Sequence, residues 1–294
     1  MNSLLGRKIL SVDDLNYEEF QYLVDLSVRV KKSVTAGLFS LEKPMKRIVY
    51  VNETSNPFLD VCVKSAAELL KAPLSQVSVG QISDRNRAHL LEALDQVADG
   101  FVLAVGNPEL YKALTDAATK PCFSVTSPAE QLLSTIADFS FVQEFKGGLK
   151  RLKMSYVGDN RREIRSLLLA AGKSGVHFTA CTPEDRKPDL RTVAAAKADA
   201  EKTGGSIRLE HRAEKALEDA DVVYVDEETE APVFGGGGTE GSLPEKIFAS
   251  APSGLLLIAR RPDVSVPYTA GKDMLRPRAP WTVYSCVSLL YSVL

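Results

Sequence analysis

The chain has 294 residues, 45% of them hydrophobic, and 36 Lys+Arg against 38 Asp+Glu give a net charge of −2. That length and apolar fraction support a large buried core and two domains rather than one. Balanced charge removes the basic field that nucleic acid or an anionic membrane needs, and no apolar run approaches the ~20 residues of a membrane span.

Met1-Asn2-Ser3-Leu4-Leu5-Gly6-Arg7 lacks the apolar core of a signal peptide, so the sequence reads as cytoplasmic. Four widely spaced cysteines (Cys62, Cys122, Cys181, Cys286) form no Cys-x-x-Cys and read as buried, reduced thiols. His89, His177 and His211 have no metal-ligand spacing, so neither a metal nor a cofactor is expected. His177 reads as a packing residue on a strand, and none of the three is marked as a catalytic base. The short runs Lys150-Arg151-Leu152-Lys153 and Arg260-Arg261 read as solvated faces first and polyanion contacts second.

In chain order, residues 17–30 form an apolar-periodic helix that Asp13 or Asp14 can cap. Ile48-Val49-Tyr50-Val51 is strand-like, residues 57–70 are helical, 76–79 β-like and 84–98 helical. Phe101-Val102-Leu103-Ala104-Val105 is a continuous apolar strand; Gly106-Asn107-Pro108 turns the chain into a helix over 110–119, and strand 122–125 follows. A helix over about 129–145 ends at Gly147-Gly148, a suitable C-cap. Beyond it come strand 154–159, helix 162–174, strand 176–181, helix 188–203, a β-like stretch at 207–209, helix 212–219, strands 221–225 and 255–259, and a helical tail over 281–294. Strand–helix alternation of this kind predicts parallel α/β sheets. The division is residues 1–134, residues 135–278, and a terminal helix at 279–294 that packs back on the first domain. Ligands of such sheets sit beyond the carboxyl ends of the strands, and a two-domain chain offers a cleft for them.

Leu41-Glu42-Lys43-Pro44-Met45-Lys46-Arg47-Ile48 resembles the carbamoyl-phosphate loop of the aspartate/ornithine carbamoyltransferases, which reads Phe-Glu-Lys-Pro-Ser-Thr-Arg-Thr. The opening Leu5-Gly6-Arg7-Lys8-Ile9-Leu10 is similar to the same family. So are the run Leu149-Lys150-Arg151-Leu152-Lys153-Met154-Ser155-Tyr156-Val157-Gly158-Asp159, then Thr182-Pro183-Glu184, and Ala216-Leu217-Glu218-Asp219-Ala220-Asp221-Val222-Val223-Tyr224. The resemblance spans essentially the whole chain. It implies two doubly wound parallel-sheet domains joined by a long interdomain helix, and a trimer in which the first domain makes most of the contact.

The family's chemistry does not carry over with the fold. Met45, Lys46 and Ile48 replace the three hydroxyls of the loop. The family's His-Pro-x-Gln falls on Gln131-Leu132-Leu133-Ser134, or in a shifted alignment on Ser127-Pro128-Ala129-Glu130; neither supplies His. The arginine that ends a family strand falls where this chain has Leu103-Ala104-Val105-Gly106, and the late His-Cys-Leu-Pro becomes Ala259-Arg260-Arg261-Pro262. The basic residue of the last helix has no counterpart in Pro280-Trp281-Thr282-Val283-Tyr284.

Losing one oxyanion donor costs roughly 100- to 1,000-fold in rate, so several losses leave little catalysis. No catalytic residue is therefore assigned. Lys46, Arg47, Arg260 and Arg261 are the expected remnants that bind substrate, with an anionic small molecule as their ligand. Arg47 alternatively pairs with Glu42 or Glu53. Gly235-Gly236-Gly237-Gly238 lacks P-loop spacing and reads as a surface loop, and Val157-Gly158-Asp159-Asn160 lacks a full dinucleotide fingerprint. The expectation is a catalytically degenerate carbamoyltransferase-like protein. It would act structurally or as a regulator in a homo- or hetero-trimer, with an active paralogue as a possible partner. The alternatives are a divergent carbamoyltransferase and an enzyme for a different anionic substrate.

Overall fold

A computed structural model describes residues 3–40, 46–53, 55–80, 84–158, 162–226, 251–259 and 275–294. The expectations placed on Glu42-Lys43-Pro44-Met45, on the Gly235 run, on Asp159-Asn160 and on Arg260 and Arg261 lie outside the described residues. The chain divides into two compact units, Met1–Phe141 with Pro280–Leu294, and Val142–Ala279.

The first unit holds β1 (Lys8–Ile9), α1 (Tyr17–Thr35), β2 (Ile48–Asn52), α2 (Pro57–Leu69), β3 (Leu74–Ser78), α3 (Asp84–Val97), β4 (Gly100–Ala104), α4 (Pro108–Ala117) and β5 (Cys122–Thr126). Its sheet has the order β1-β5-β4-β2-β3, with every pairing parallel. Helix α5 (Leu132–Lys146) carries the chain from the first unit into the second. The second unit holds β6 (Lys153–Val157), α6 (Arg162–Ser174), β7 (His177–Cys181), α7 (Leu190–Thr203), β8 (Ser206–Glu210), α8 (Ala213–Leu217), β9 (Val222–Val225) and β10 (Leu256–Ala259). Its sheet order is β10-β9-β6-β7-β8, again all parallel. The last helix, α9 (Leu275–Val293), ends in the first unit, where the Gly6 N–H bonds the Val293 carbonyl at 2.9 Å.

Burial follows strand position. The inner strands β2, β4 and β9 are buried at every residue, which is why they read as unbroken apolar runs. The edge strands β3 and β8 are partly exposed and mix polar with apolar residues. On one face of the first sheet Val49, Val51, Phe101 and Leu103 pack with Leu110 and Leu114 of α4. Phe20 of α1 meets Phe139 of α5 edge-to-face at 5.5 Å. In the second unit Val157, Cys181, Val223, Val225 and Leu257 pack with Ala213, Ala216 and Leu217 of α8.

Three local expectations need correction. Asn16, not Asp13 or Asp14, caps α1; its side chain accepts from Glu19 N–H and the Glu19 carboxylate answers Asn16 N–H. Asp13 and Asp14 belong to a 3-10 turn, and Asp14 accepts from Leu10 and Ser11 N–H. Helix α5 begins at Leu132, because the Ser127 hydroxyl accepts from Ala129 and Glu130 N–H and holds that stretch in a turn. The terminal helix begins before Pro280 and continues through it.

Two points in this topology matter for function. In the first sheet β3 lies on one side of β2 and β4 on the other, so strand order reverses between β2 and β4. In the second sheet it reverses between β6 and β9. Open parallel sheets bind ligands at such reversals, beyond the carboxyl ends of the two strands.

Candidate functional site

At the first reversal β2 ends in Asn52 and Glu53, and β4 leads into Gly106 and Asn107, where α4 starts. One carboxylate oxygen of Glu53, Oε2, accepts from both Gly106 N–H and Asn107 N–H at 2.8 Å each. The Glu53 N–H in turn bonds the Ala104 carbonyl at 3.0 Å, so the residue is tied to β4 by backbone and side chain. Amides at the start of a helix are donors with a partial positive charge, the usual receptors of an anion. Here the anion is the chain's own.

Behind Glu53 lies a buried polar set. Asp60 of α2, 7% exposed, accepts from Tyr50 Oη at 2.9 Å, Ser55 Oγ at 2.9 Å and Asn52 Nδ2 at 3.4 Å. The Asn52 side-chain oxygen, Oδ1, accepts from Ser78 Oγ of β3 at 2.7 Å. Burial first, and then the adjacent Asp60 carboxylate, push the Tyr50 phenol far above its ordinary value. This network fixes the connection from β2 to α2, whose N-cap is Asn56 with Pro57 behind it.

Elsewhere along the same edge, Glu130 is 3% exposed, and its two oxygens accept from Ser11 Oγ at 2.6 Å and Val12 N–H at 3.0 Å. Leu132 and Leu133 at the start of α5 are buried. Asp14, Glu53 and Glu130 together answer the amides of Leu10, Ser11, Val12, Gly106 and Asn107.

At the second reversal Asp226 follows β9 and Gly158 follows β6. Asp226 is 3% exposed, and Oδ2 accepts from Tyr156 Oη at 2.8 Å. Tyr156 stacks on Tyr224 with ring centroids 6.2 Å apart. Gly158 is required here, since a Cβ would fall 2.5 Å from Tyr156 Oη and 2.8 Å from the Asp226 Cβ. The Tyr156–Asp226 hydrogen bond ties the ends of β6 and β9 together.

Lys46 and Arg47 lie elsewhere. They lead into β2 at its amino end, opposite the edge where such sheets bind ligands. Arg47 N–H and Nε both bond Asp99 Oδ2, at 2.8 and 3.3 Å. Among the described residues its partner is Asp99 rather than Glu53, and Glu42 lies outside the described residues. The Arg47 backbone N–H first, and then its guanidinium, hold the Asp99 carboxyl below its usual range. A phosphate loop must follow a strand and open a helix; residues 41–48 instead precede β2 and end inside it. In this topology the position belongs to the β2–α2 connection, which contains Glu53. The sequence reading named Glu53 only as an Arg47 partner and passed over Asp60, Tyr156 and Asp226. For Glu53, Tyr156 and Asp226 the signal available was a polar residue at or next to the end of an apolar strand; Asp60, in the first turn of α2, carried no such signal.

The remaining titratable groups are structural. His211 donates from Nδ1 to the Thr182 carbonyl at 2.9 Å, His177 pairs with Ser206 Oγ at 2.9 Å, and His89 is exposed. All four cysteines are free and buried. Burial pushes the Cys62 and Cys122 thiols up to about 11 and Cys181 to about 12, so they are inert near neutral pH. Among the described residues no His, Cys, Asp and Glu group could hold a metal ion, and no helix is long and apolar enough to cross a membrane.

Comparison with known proteins places this geometry in a family. Residues 150–231 match the family model described as aspartate/ornithine carbamoyltransferase, Asp/Orn binding domain. The ornithine carbamoyltransferase of Hyperthermus butylicus is 31% identical over 235 residues, which cover 76% of this chain and 73% of that protein. The catabolic ornithine carbamoyltransferase of Bacillus licheniformis is 27% identical over 251 residues, covering 83% and 72%. Among solved structures, ornithine carbamoyltransferase from Pyrococcus furiosus superposes with a TM-score of 0.84 at 23% identity, covering 100% of this chain and 98% of that one. Aspartate transcarbamoylase from Trypanosoma cruzi, in complex with N-(phosphonacetyl)-L-aspartic acid, gives 0.83 at 14% identity, covering 100% and 98%. With two parallel α/β units in the right order and relatives this similar along most of their length, the chain belongs to the aspartate/ornithine carbamoyltransferase family.

Proposed function

We propose that this protein is a catalytically degenerate carbamoyltransferase that acts by assembly, with a structural or regulatory role in a homo-trimer or in a hetero-trimer with an active paralogue. One observation carries the reading. At the carboxyl edge of the first sheet three of the chain's own carboxylates, Glu53, Glu130 and Asp14, accept from backbone N–H groups. A phosphorylated donor arriving there meets negative charge and amides already bonded. Neither alignment of the family's His-Pro-x-Gln places a histidine near the start of α5, where Leu132 and Leu133 are buried. Activity that needs a donor bound by several cations and hydroxyls is lost by orders of magnitude under such replacements.

The test is direct. The purified chain is incubated with carbamoyl phosphate and either ornithine or aspartate, and the carbamoylated amino acid is measured. No product above the uncatalysed rate is expected; turnover at a rate ordinary for enzymes, about 1 per second or more, would sink the proposal.

A divergent, active carbamoyltransferase is the second reading. Its support is the match of residues 150–231 to the amino-acid-binding half of the family, together with Asp226 at the second reversal. Calorimetry with millimolar carbamoyl phosphate separates the two readings, since heat of binding is required by the second. The reading in which Lys46, Arg47, Arg260 and Arg261 hold a different anion has no observation among the described residues in its favour. Arg47 is bonded to Asp99 at the opposite edge of the sheet.

A further inference from the structure

We propose that a cavity at the amino edge of the first sheet binds a small organic cation, an ammonium group carried on a short aliphatic body. The cavity measures about 420 Å³, a size suited to a ligand of that kind. It lies between the last turns of α1 and α2 and the Pro280 turn of α9, all within the first unit. Helix α1 ends before β2 begins and α2 ends before β3 begins, so both helix ends stand at the edge where those strands start. That edge is the one away from Glu53 and the reversal point. The inference goes beyond the reading above and holds whether or not the carboxyl edge is active.

The lining sets the chemistry. Val34, Leu69, Pro280 and Val283 make apolar walls, which take up hydrocarbon. Three polar side chains share the cavity with them, Glu68, Ser65 and Tyr284. Among the described residues none of these three makes a side-chain hydrogen bond or ion pair, although Lys64 and Lys71 stand within a turn of Glu68. Glu68 carries the only formal charge among the described lining residues, and it is negative. The helix ends add to it. Carbonyl groups crowd the last turns of α1 and α2, where Val34, Glu68 and Leu69 stand, and their partial negative charge favours a cation. An anion of the same size meets a carboxylate and two helix C-termini, and a neutral molecule leaves Glu68 unanswered.

The experiment titrates hexylammonium, hexanol and hexanoate, one aliphatic body with three head groups, into the full chain and into Glu68→Gln. It follows the methyl resonances of Val34, Leu69 and Val283. Glu68 is exposed, so its replacement leaves the fold intact. In wild type hexylammonium is expected to move these resonances saturably and to bind about two- to fivefold more tightly than hexanol, with hexanoate weakest. Glu68→Gln should bring hexylammonium and hexanol level. Ser65→Trp fills the cavity and should abolish the saturable shifts. Hexylammonium that leaves the three residues unmoved in wild type would overturn the proposal. Hexanoate binding as tightly as hexylammonium would overturn it too, as would an ammonium preference that survives Glu68→Gln or shifts that survive in folded Ser65→Trp. Carbamoyl transfer by the same wild-type chain bears only on the degenerate reading.

Discussion

Asp60 is the residue whose removal should be felt most in the first unit. Its carboxylate answers Tyr50, Asn52 and Ser55, and the first two are fully buried. Asp60→Ala leaves those donors without an acceptor, at a cost of about 3 kcal/mol. Urea denaturation reads this, and a loss below about 1 kcal/mol would contradict the network described. Arg47→Ala should cost well under about 1 kcal/mol, since the ion pair with Asp99 is exposed.

Glu19 gives a pH signature. Burial works to raise its pKa, but hydrogen bonds from Asn16 N–H and Ser3 and the nearby Arg7 guanidinium outweigh it and hold the carboxyl below its usual 4.5. A depressed folded value contributes stability that is present above 4.5 and is lost as pH falls through the folded value. Glu19→Gln should therefore flatten the decline of stability below about pH 4.5 in acid titrations followed by circular dichroism. An unchanged acid limb would count against it.

At the scale of elements, α6 and α7 approach closely at Gly172 and Ala196. A Cβ on Gly172 would fall 2.5 Å from the Ala196 carbonyl oxygen, so only glycine allows the approach. The same contact brings buried Lys173 to Asp199 at 2.6 Å. Gly172→Val should force the helices apart and cost about 1–3 kcal/mol, read as a lowered thermal midpoint. Every described strand except the two-residue β1, and every helix of at least ten described residues, overlaps a stretch legible in the sequence, most of them as an apolar run or a periodic stripe between turn residues. Ends were less so. Asn16, Ser127 and Asp189 set helix starts through local side-chain hydrogen bonds, which periodicity does not register. The loop motif at 41–48 misled for a related reason. A string of residue types says nothing about which side of a strand it stands on, and these residues stand before β2.

For the whole molecule, the assembly reading predicts a species of three chains of 32.0 kDa each, alone or mixed with an active paralogue. Sedimentation velocity of the purified chain, and of the chain co-expressed with such a paralogue, would read it; a monomer under both conditions would remove the proposed role. The sequence by itself determined the class of fold, the order of strands and helices and the family, since hydrophobic period and turn chemistry are local and survive substitution. It also raised the expectation that the family's histidine and arginine are missing. Only the tertiary structure decided which groups meet at the carboxyl edge of the first sheet. Glu53 and Gly106 are 53 residues apart, and no local pattern joins them. They meet because the crossovers set β4 against β2, so that the end of one strand faces the amides that follow the other.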